Sequence, residues 1–130
     1  MKHERIMHVA IRLAAISILM LIAGCTQRIE FTFPSKGIVK VEAFDGGRPI
    51  ASCDVSVESD AMRRFSAWLT THRDGWQPTL VTYAPKIHIR GSGFDINFLS
   101  DGVVINFDRK QYIRTVSDFD TKILLCNRRS

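Results

Sequence analysis

The 130-residue sequence contains no apolar run long enough to cross a bilayer as a helix. Its longest largely apolar run, residues 13–23, has 11 residues, which at the helical rise span about 17 Å of a hydrocarbon core about 30 Å thick. The sequence also lacks internal repeats, low-complexity segments and any run of three basic residues. These absences argue against a solenoid, a disordered linker and a nucleic-acid-binding arm.

Residues that carry catalytic chemistry are scarce. His72 and His88 are the only histidines after Cys25, and no nucleophile-elbow pattern accompanies the serines. No two His, Cys or carboxylate residues stand at a metal-ligand spacing with a third nearby. Gly91-Ser92-Gly93 falls between two strand-like segments rather than between a strand and a helix, which indicates a hairpin turn and not a phosphate loop. We therefore expect no enzymatic activity, no metal and no cofactor.

Residues 1–24 have the organisation of a secretory signal peptide: a basic start, a short apolar run and small residues at its end. The motif Ile22-Ala23-Gly24-Cys25 resembles the lipobox of bacterial lipoproteins. That resemblance implies that Cys25 receives a diacylglyceryl group, becomes the new N-terminus and is acylated again. Several acyl chains on one residue anchor a protein stably, whereas one chain is marginal. An uncleaved N-terminal anchor is the alternative.

Thr26 bears on which membrane holds the protein. In enterobacterial lipoproteins an Asp after the lipidated cysteine commonly retains the protein in the inner membrane, so Thr26 favours the outer membrane, with the domain facing the periplasm. Residues 1–24 hold three of the 18 basic residues and one of the 13 acidic residues, which leaves the remainder with a formal charge of +3. A mildly basic protein of the cell envelope is not expected to bind nucleic acid.

Cys53 and Cys126 remain as a pair once Cys25 is assigned to the lipid. An oxidising compartment favours a disulfide between them. The bond would close a loop of about 70 residues and contribute on the order of 4 kcal/mol by the loop-entropy argument. Two unpaired buried thiols are the alternative.

The mature chain predicts a short lipidated tether at residues 25–35, followed by one α+β domain at 36–130. Within the tether, residues 29–33 alternate between apolar and polar side chains and are also compatible with an edge strand. Asp45-Gly46-Gly47 predicts a hairpin between residues 36–44 and 50–57. Ser59 is a good N-cap for a helix that ends at Asp74-Gly75.

From residue 79 onward the apolar period changes to two. Residues 117–126 then fit a capped helix better than a final strand, although the strand stays possible. We expect an antiparallel β-meander packed against one or two helices. The predicted strands of the meander are residues 79–84, 86–90, 94–99, 103–107 and 111–116.

Partner contacts are predicted on a loop and on the outward face of the meander. Trp68 lies on the apolar stripe of the helix and is assigned to the core, whereas Trp76 follows the helix on a loop, where tryptophan commonly contributes to binding. An ordinary solvated sheet face is the alternative reading of the polar residues. The predicted contacts are Trp76, His88, Arg90, Asp95 and Asn97.

A second resemblance concerns function. Trp68-Leu69, Gly75-Trp76, Thr82-Tyr83-Ala84-Pro85 and Asn97-Phe98-Leu99 resemble a pattern in small bacterial envelope proteins, some of which confer immunity to antibacterial toxins. The resemblance implies a non-enzymatic protein that binds a protein partner as an inhibitor or immunity factor. A structural component of an envelope assembly, such as a secretion system, is the alternative function.

Lipidation can be tested by growing cells with a clickable fatty acid. We expect the wild-type protein to be labelled and Cys25→Ala to be unlabelled, because the acceptor thiol is gone. The double variant Cys53→Ala/Cys126→Ala should keep its label, since neither residue belongs to the lipobox. Equal labelling of Cys25→Ala and the wild type would contradict the assignment.

Overall fold

A seven-stranded antiparallel sheet is the main element of the described part of the chain. The computed structural model describes residues 25–116 and 119–126, and within these ranges the chain forms seven strands, one α-helix and one 3-10 helix in a single domain. The predicted signal peptide, the first three lipobox residues and the predicted helix start at residues 117–118 lie outside the described residues. The elements are β1 Ile38–Asp45, β2 Arg48–Ser56, α1 Asp60–Thr71, β3 Gln77–Pro78, β4 Ile87–Gly91, β5 Phe94–Phe98, β6 Gly102–Phe107, β7 Lys110–Thr115 and the 3-10 helix Thr121–Leu124.

The strand order across the sheet is β2-β1-β4-β5-β6-β7-β3, and every neighbouring pair is antiparallel. Strands β4 to β7 follow one another as a meander, and the β1–β2 hairpin adds to its β4 side. Because β2 and β3 lie at opposite edges, α1 must carry the chain across one face of the sheet. Residues 79–86 then lead from the β3 edge back to β4 in the interior of the sheet.

One face of the sheet is apolar and packs under α1. Val41, Ile89, Ile96 and Ile105 are register neighbours across four strands, and each is fully buried. The helix begins at its predicted N-cap, where the Ser59 side chain accepts a hydrogen bond from the Met62 amide. Its buried side chains are Met62, Phe65, Trp68 and Leu69.

The helix ends earlier than the sequence predicts. It stops at Thr71, with His72 as the C-cap, and not at Asp74-Gly75. Gly75 has a φ of 82°, which places the left-handed residue in the turn after the helix. In the described part of the chain, no helix combines the length and the apolar composition that crossing a membrane requires.

Residues 25–35 are not a free tether. Ile29, Phe31 and Phe33 are buried members of the core, in the alternating pattern that the sequence shows. The ring centroid of Phe31 lies 5.3 Å from that of Phe94, and Phe33 lies 5.6 Å from Phe65. The segment therefore packs beside α1 as an extended chain on the apolar face, because its three apolar side chains all point to the same side.

The C-terminal residues complete the same layer. Leu124 in the 3-10 helix is buried, and the ring of Phe119 lies 5.8 Å from that of Phe98. The final element is therefore neither the longer helix nor the strand weighed from the sequence. The predicted disulfide is confirmed: Cys53 on β2 bonds Cys126, with their α-carbons 5.9 Å apart.

The predicted strand at residues 79–84 is wrong. That segment has no regular secondary structure, and only Gln77–Pro78 pairs with β7 at this edge. The physical reason is topological, since the segment has to run across the sheet to reach β4 and cannot lie parallel to its strands. The meander therefore has four strands, and the whole sheet is larger than predicted because the β1–β2 hairpin joins it.

The disulfide should contribute strongly to stability. In Cys53→Ala/Cys126→Ala we expect the free energy of unfolding to fall by on the order of 4 kcal/mol, because the bond links residues 73 positions apart. Urea unfolding followed by the fluorescence of the buried tryptophans measures the loss, and reduced wild-type protein should behave as the double variant does. A loss below about 1 kcal/mol would show that the unfolded chain gains little freedom without the bond.

Candidate functional site

The sheet face opposite α1 is polar and is divided into a covered and an open part. Residues 79–86, here called the crossing segment, lie over strands β5 to β7 on this side. The Tyr83 hydroxyl accepts hydrogen bonds from the side-chain amides of Asn97 at 3.0 Å and Asn106 at 2.9 Å. Val104 pairs with Asn97 on this polar face. It is nevertheless fully buried, because the crossing segment covers this part of the face.

Hydrogen bonds to β7 also hold the first half of the crossing segment. The Thr79 amide donates to the Gln111 carbonyl at 3.0 Å, and the Gln111 side-chain amide donates to the Val81 carbonyl at 3.0 Å. The backbone on both sides of Leu80 is therefore fixed to β7. A segment without regular structure is in this way ordered by side-chain hydrogen bonds rather than by a strand ladder.

The open part of the polar face, over β1, β4 and the start of β5, carries a charged cluster that consists of Glu42, His88, Arg90 and Asp95. The two ring nitrogens of His88 lie 2.9 Å from an Asp95 carboxylate oxygen and 3.3 Å from a Glu42 carboxylate oxygen. Carboxylates only accept hydrogen bonds, so His88 donates to both of them only when both of its nitrogens carry protons. Nitrogens of the Arg90 guanidinium lie 3.9 Å from a Glu42 carboxylate oxygen and 3.7 Å from an Asp95 carboxylate oxygen.

Exposure differs sharply within the charged cluster. The His88 side chain is 14% exposed, whereas Asp95 is 43% and Arg90 is 59% exposed. His88 therefore lies beneath the carboxylates of Glu42 and Asp95 and holds them in position. Arg90 and Asp95 present opposite charges to the solvent. Exposed ion pairs of this kind contribute little to stability individually, but they fix the positions of charges that a ligand can meet.

A groove of about 1310 Å³ adjoins the charged cluster at the end of the sheet where the β4–β5 and β6–β7 turns lie. Its walls come from both faces of the sheet, from the start of the crossing segment and from Gln27. Arg90 and Asp95 form part of its rim, so the cluster and the groove are continuous. The apolar part of the lining is Pro78, Leu80, Phe94, Phe107 and Tyr112.

The β6–β7 turn at the groove has an unusual backbone. Asp108 and Arg109 have φ values of 49° and 61°, as the two central residues of a two-residue hairpin turn of the primed type require. Glycine or asparagine normally occupies such positions, and an arginine there costs on the order of 1 kcal/mol. The turn places Arg109 and the adjacent Lys110 on the groove despite this strain.

The five predicted contact residues do not form one surface. Trp76 is fully buried, and its indole N–H donates to the His72 carbonyl at 2.6 Å, so the prediction of a surface contact is wrong. The turn at Gly75 folds the indole back against the end of α1. Asn97 is 4% exposed beneath Tyr83. Of the predicted residues, Arg90 and Asp95 are the ones that reach the solvent together, with His88 beneath them.

Sequence reasoning did not identify Glu42, Tyr83 or Arg109. Glu42 gave a weak signal, as an outward-facing acid in an alternating strand, but its proximity to His88 depends on the β1–β4 register. Tyr83 belongs to the Thr82-Tyr83-Ala84-Pro85 part of the resemblance, but the strand predicted there did not indicate the hydrogen bonds that its hydroxyl accepts. In the described residues no group of three or more His, Cys, Asp or Glu is arranged to hold a metal ion. The site offers ion pairs, hydrogen bonds and apolar contact to a ligand.

The order of the crossing segment should depend on Tyr83. In Tyr83→Phe we expect the free energy of unfolding to fall by about 1–3 kcal/mol, because the amide of buried Asn97 loses its acceptor. In an Asn97→Leu/Asn106→Leu background the same substitution should cost far less, since no amide is left unpaired. Chemical denaturation of the four proteins measures both costs, and equal costs in the two backgrounds would contradict the hydrogen-bonding role.

Known proteins give no guide to this site. Comparison of the chain with protein-family models, with curated proteins and with solved structures finds no match.

Proposed function

We propose that this protein is a lipid-anchored lipoprotein of the periplasm that binds a protein partner, as an inhibitor or a toxin-immunity factor. The observation that carries the proposal is that one cysteine is free while the other two are bonded to each other. Cys25, which ends the lipobox-like motif, is exposed and free, while Cys53 and Cys126 form a disulfide. Disulfides persist in oxidising compartments such as the periplasm, and a free exposed thiol is what a lipid-transferring enzyme requires.

Thr26 supports placement in the outer membrane, by the resemblance to enterobacterial lipoproteins. The short chain between Cys25 and the fold also supports anchoring directly at the membrane surface. Gln27, two residues after Cys25, already exchanges two backbone hydrogen bonds with Trp76.

The partner surface that we propose is the charged cluster on the open polar face. Arg90 and Asp95 present charges of both signs at positions fixed by His88 and Glu42. Such an arrangement selects a partner with the complementary pattern and disfavours others, because misplaced like charges repel. Binding there would act by occlusion of the partner's surface, and it needs no chemical step.

A structural role in an envelope assembly is the second candidate. Strand β2 has nine residues and lies at the edge of the sheet, and within the described residues its outer side pairs with no other strand. Ile50 on this strand is 56% exposed. An edge of this kind can accept a strand from another protein.

The partner surface is tested by affinity capture of the full-length protein from detergent-solubilised envelopes. We expect wild-type protein to hold one partner at one-to-one stoichiometry and Arg90→Glu to lose it, because the reversed charge repels the partner and Glu42. Arg64→Glu, at an exposed position of α1, is the matched control and should retain the partner.

The outcomes separate the two functions. Poisoning of cells that lose this gene beside an intact toxin gene would support immunity. Co-purification with a large membrane complex, unaffected by Arg90→Glu, would support the structural role. Loss of the partner from both variants to the same degree would contradict binding through the charged cluster.

A further inference from the structure

We propose that the side of the domain bearing Leu80 rests on the lipid surface, with Arg109 and Lys110 of the β6–β7 turn directed to lipid phosphates. The inference rests on the proposed lipidation of Cys25 and adds to it an orientation: the domain is held against the bilayer on one defined side.

The chain between the anchor at Cys25 and the fold is very short. The Gln27 amide donates to the Trp76 carbonyl at 2.7 Å, and the Trp76 amide donates to the Gln27 carbonyl at 3.1 Å. Two residues span at most about 7 Å. Because the polar layer on each side of the hydrocarbon core is only on the order of 5–8 Å thick, Gln27 lies at the membrane surface when Cys25 carries lipid.

The chain after Gln27 is also fixed, so the domain cannot swing away from the anchor. The Ile29 amide donates to the Arg73 carbonyl at 2.9 Å, and the Ile29 side chain is buried. Arg28 pairs with Asp74 at 3.3 Å, beside the end of α1. A lipoprotein with a long flexible tether leaves its domain free to rotate, whereas here the tether is about as short as a chain allows.

The surface beside Gln27 carries exposed apolar side chains. Gln27 and Leu80 line the same groove, and Leu80 is 97% exposed. The adjacent Val81 is 56% exposed. The backbone around Leu80 is held by the bonds of Thr79 and Val81 to Gln111, so the leucine is presented by an ordered segment. A fully exposed leucine on an ordered backbone is favoured at the boundary between lipid headgroups and acyl chains.

The β6–β7 turn brings positive charge to the same groove. Arg109 and Lys110 line the groove opposite the crossing segment and are exposed, and with the exposed Asp108 beside them these three residues have a net charge of +1. Basic side chains near a bilayer are attracted to anionic headgroups. A lipid surface therefore offers apolar contact to Leu80 and negative charge to the β6–β7 turn at the same time. Contact with that negative charge also explains why Arg109 occupies a left-handed backbone position that glycine fits better.

The orientation can be measured with a fluorophore on a single cysteine. Leu80→Cys and, as the matched control, Ile50→Cys are produced in the full-length protein. Ile50 is 56% exposed on β2, at the opposite edge of the sheet. Lipidation blocks Cys25 and the disulfide blocks the other two cysteines, so a maleimide dye reacts at the chosen site. The proteins are placed in vesicles of phosphatidylcholine and phosphatidylglycerol at about 3:1, with and without a headgroup nitroxide lipid.

We expect the nitroxide to reduce the emission at position 80 at least about twofold and to leave position 50 almost unchanged, because interfacial side chains lie on the order of 5–10 Å into the headgroup boundary. Arg109→Glu/Lys110→Glu should weaken the quenching at position 80 in these vesicles but not in pure phosphatidylcholine. Unchanged quenching in this variant would overturn the role of the basic turn.

Equal quenching at positions 80 and 50, or none at position 80, would overturn the orientation. The mass of the intact protein separates this failure from failure of the proposed function. Acyl chains on Cys25 with no quenching at position 80 would refute the orientation alone. A protein without acyl chains would refute the lipid anchor and, with it, the orientation.

Discussion

The ring of Phe65 is the point on which the apolar side of this domain depends. It contacts Phe33 from the N-terminal segment, Phe98 from the sheet and Phe119 from the C-terminal segment, with centroid distances of 5.3 to 5.6 Å. Aromatic pairs at such distances add to the free energy of burying their area. The layer over the sheet is therefore made of three short pieces of chain that stabilise one another through a single helix residue, and the Cys53–Cys126 disulfide ties the last piece to the sheet edge.

The polar side of the sheet is organised by a different kind of interaction. There the crossing segment is held by Tyr83 and Gln111, through hydrogen bonds to side chains and backbone of β5, β6 and β7. Hydrogen bonds fix direction more strictly than apolar contact does. This is why a segment without secondary structure still presents Leu80 in a fixed place, and why the charged cluster beyond it stays uncovered.

The sequence predicts well those features that local chemistry decides. The hairpin is confirmed because Gly46 and Gly47 tolerate positive φ, and α1 begins at Ser59 because its hydroxyl caps the first turn. Apart from the end of α1, which comes three residues before Asp74, the failures concern long-range packing. The alternation in residues 79–84 predicts a strand, but both sides of β4 are already paired with β1 and β5, so no edge is free there. Trp76 is paired with Gln27, which lies far away in the chain. The cluster around His88 required the register of three strands.

The buried N-terminal segment has a consequence for the order of events during synthesis. Ile29, Phe31 and Phe33 share one apolar layer with Phe119 and Leu124, which lie at the other end of the chain. The rings of Phe31 and Phe33 pack on Phe65, Phe94 and Phe107. In a protein that leaves the ribosome or crosses a membrane with its N-terminus first, these side chains therefore find their partners only after β6 has emerged, so the first segment to appear is among the later ones to pack.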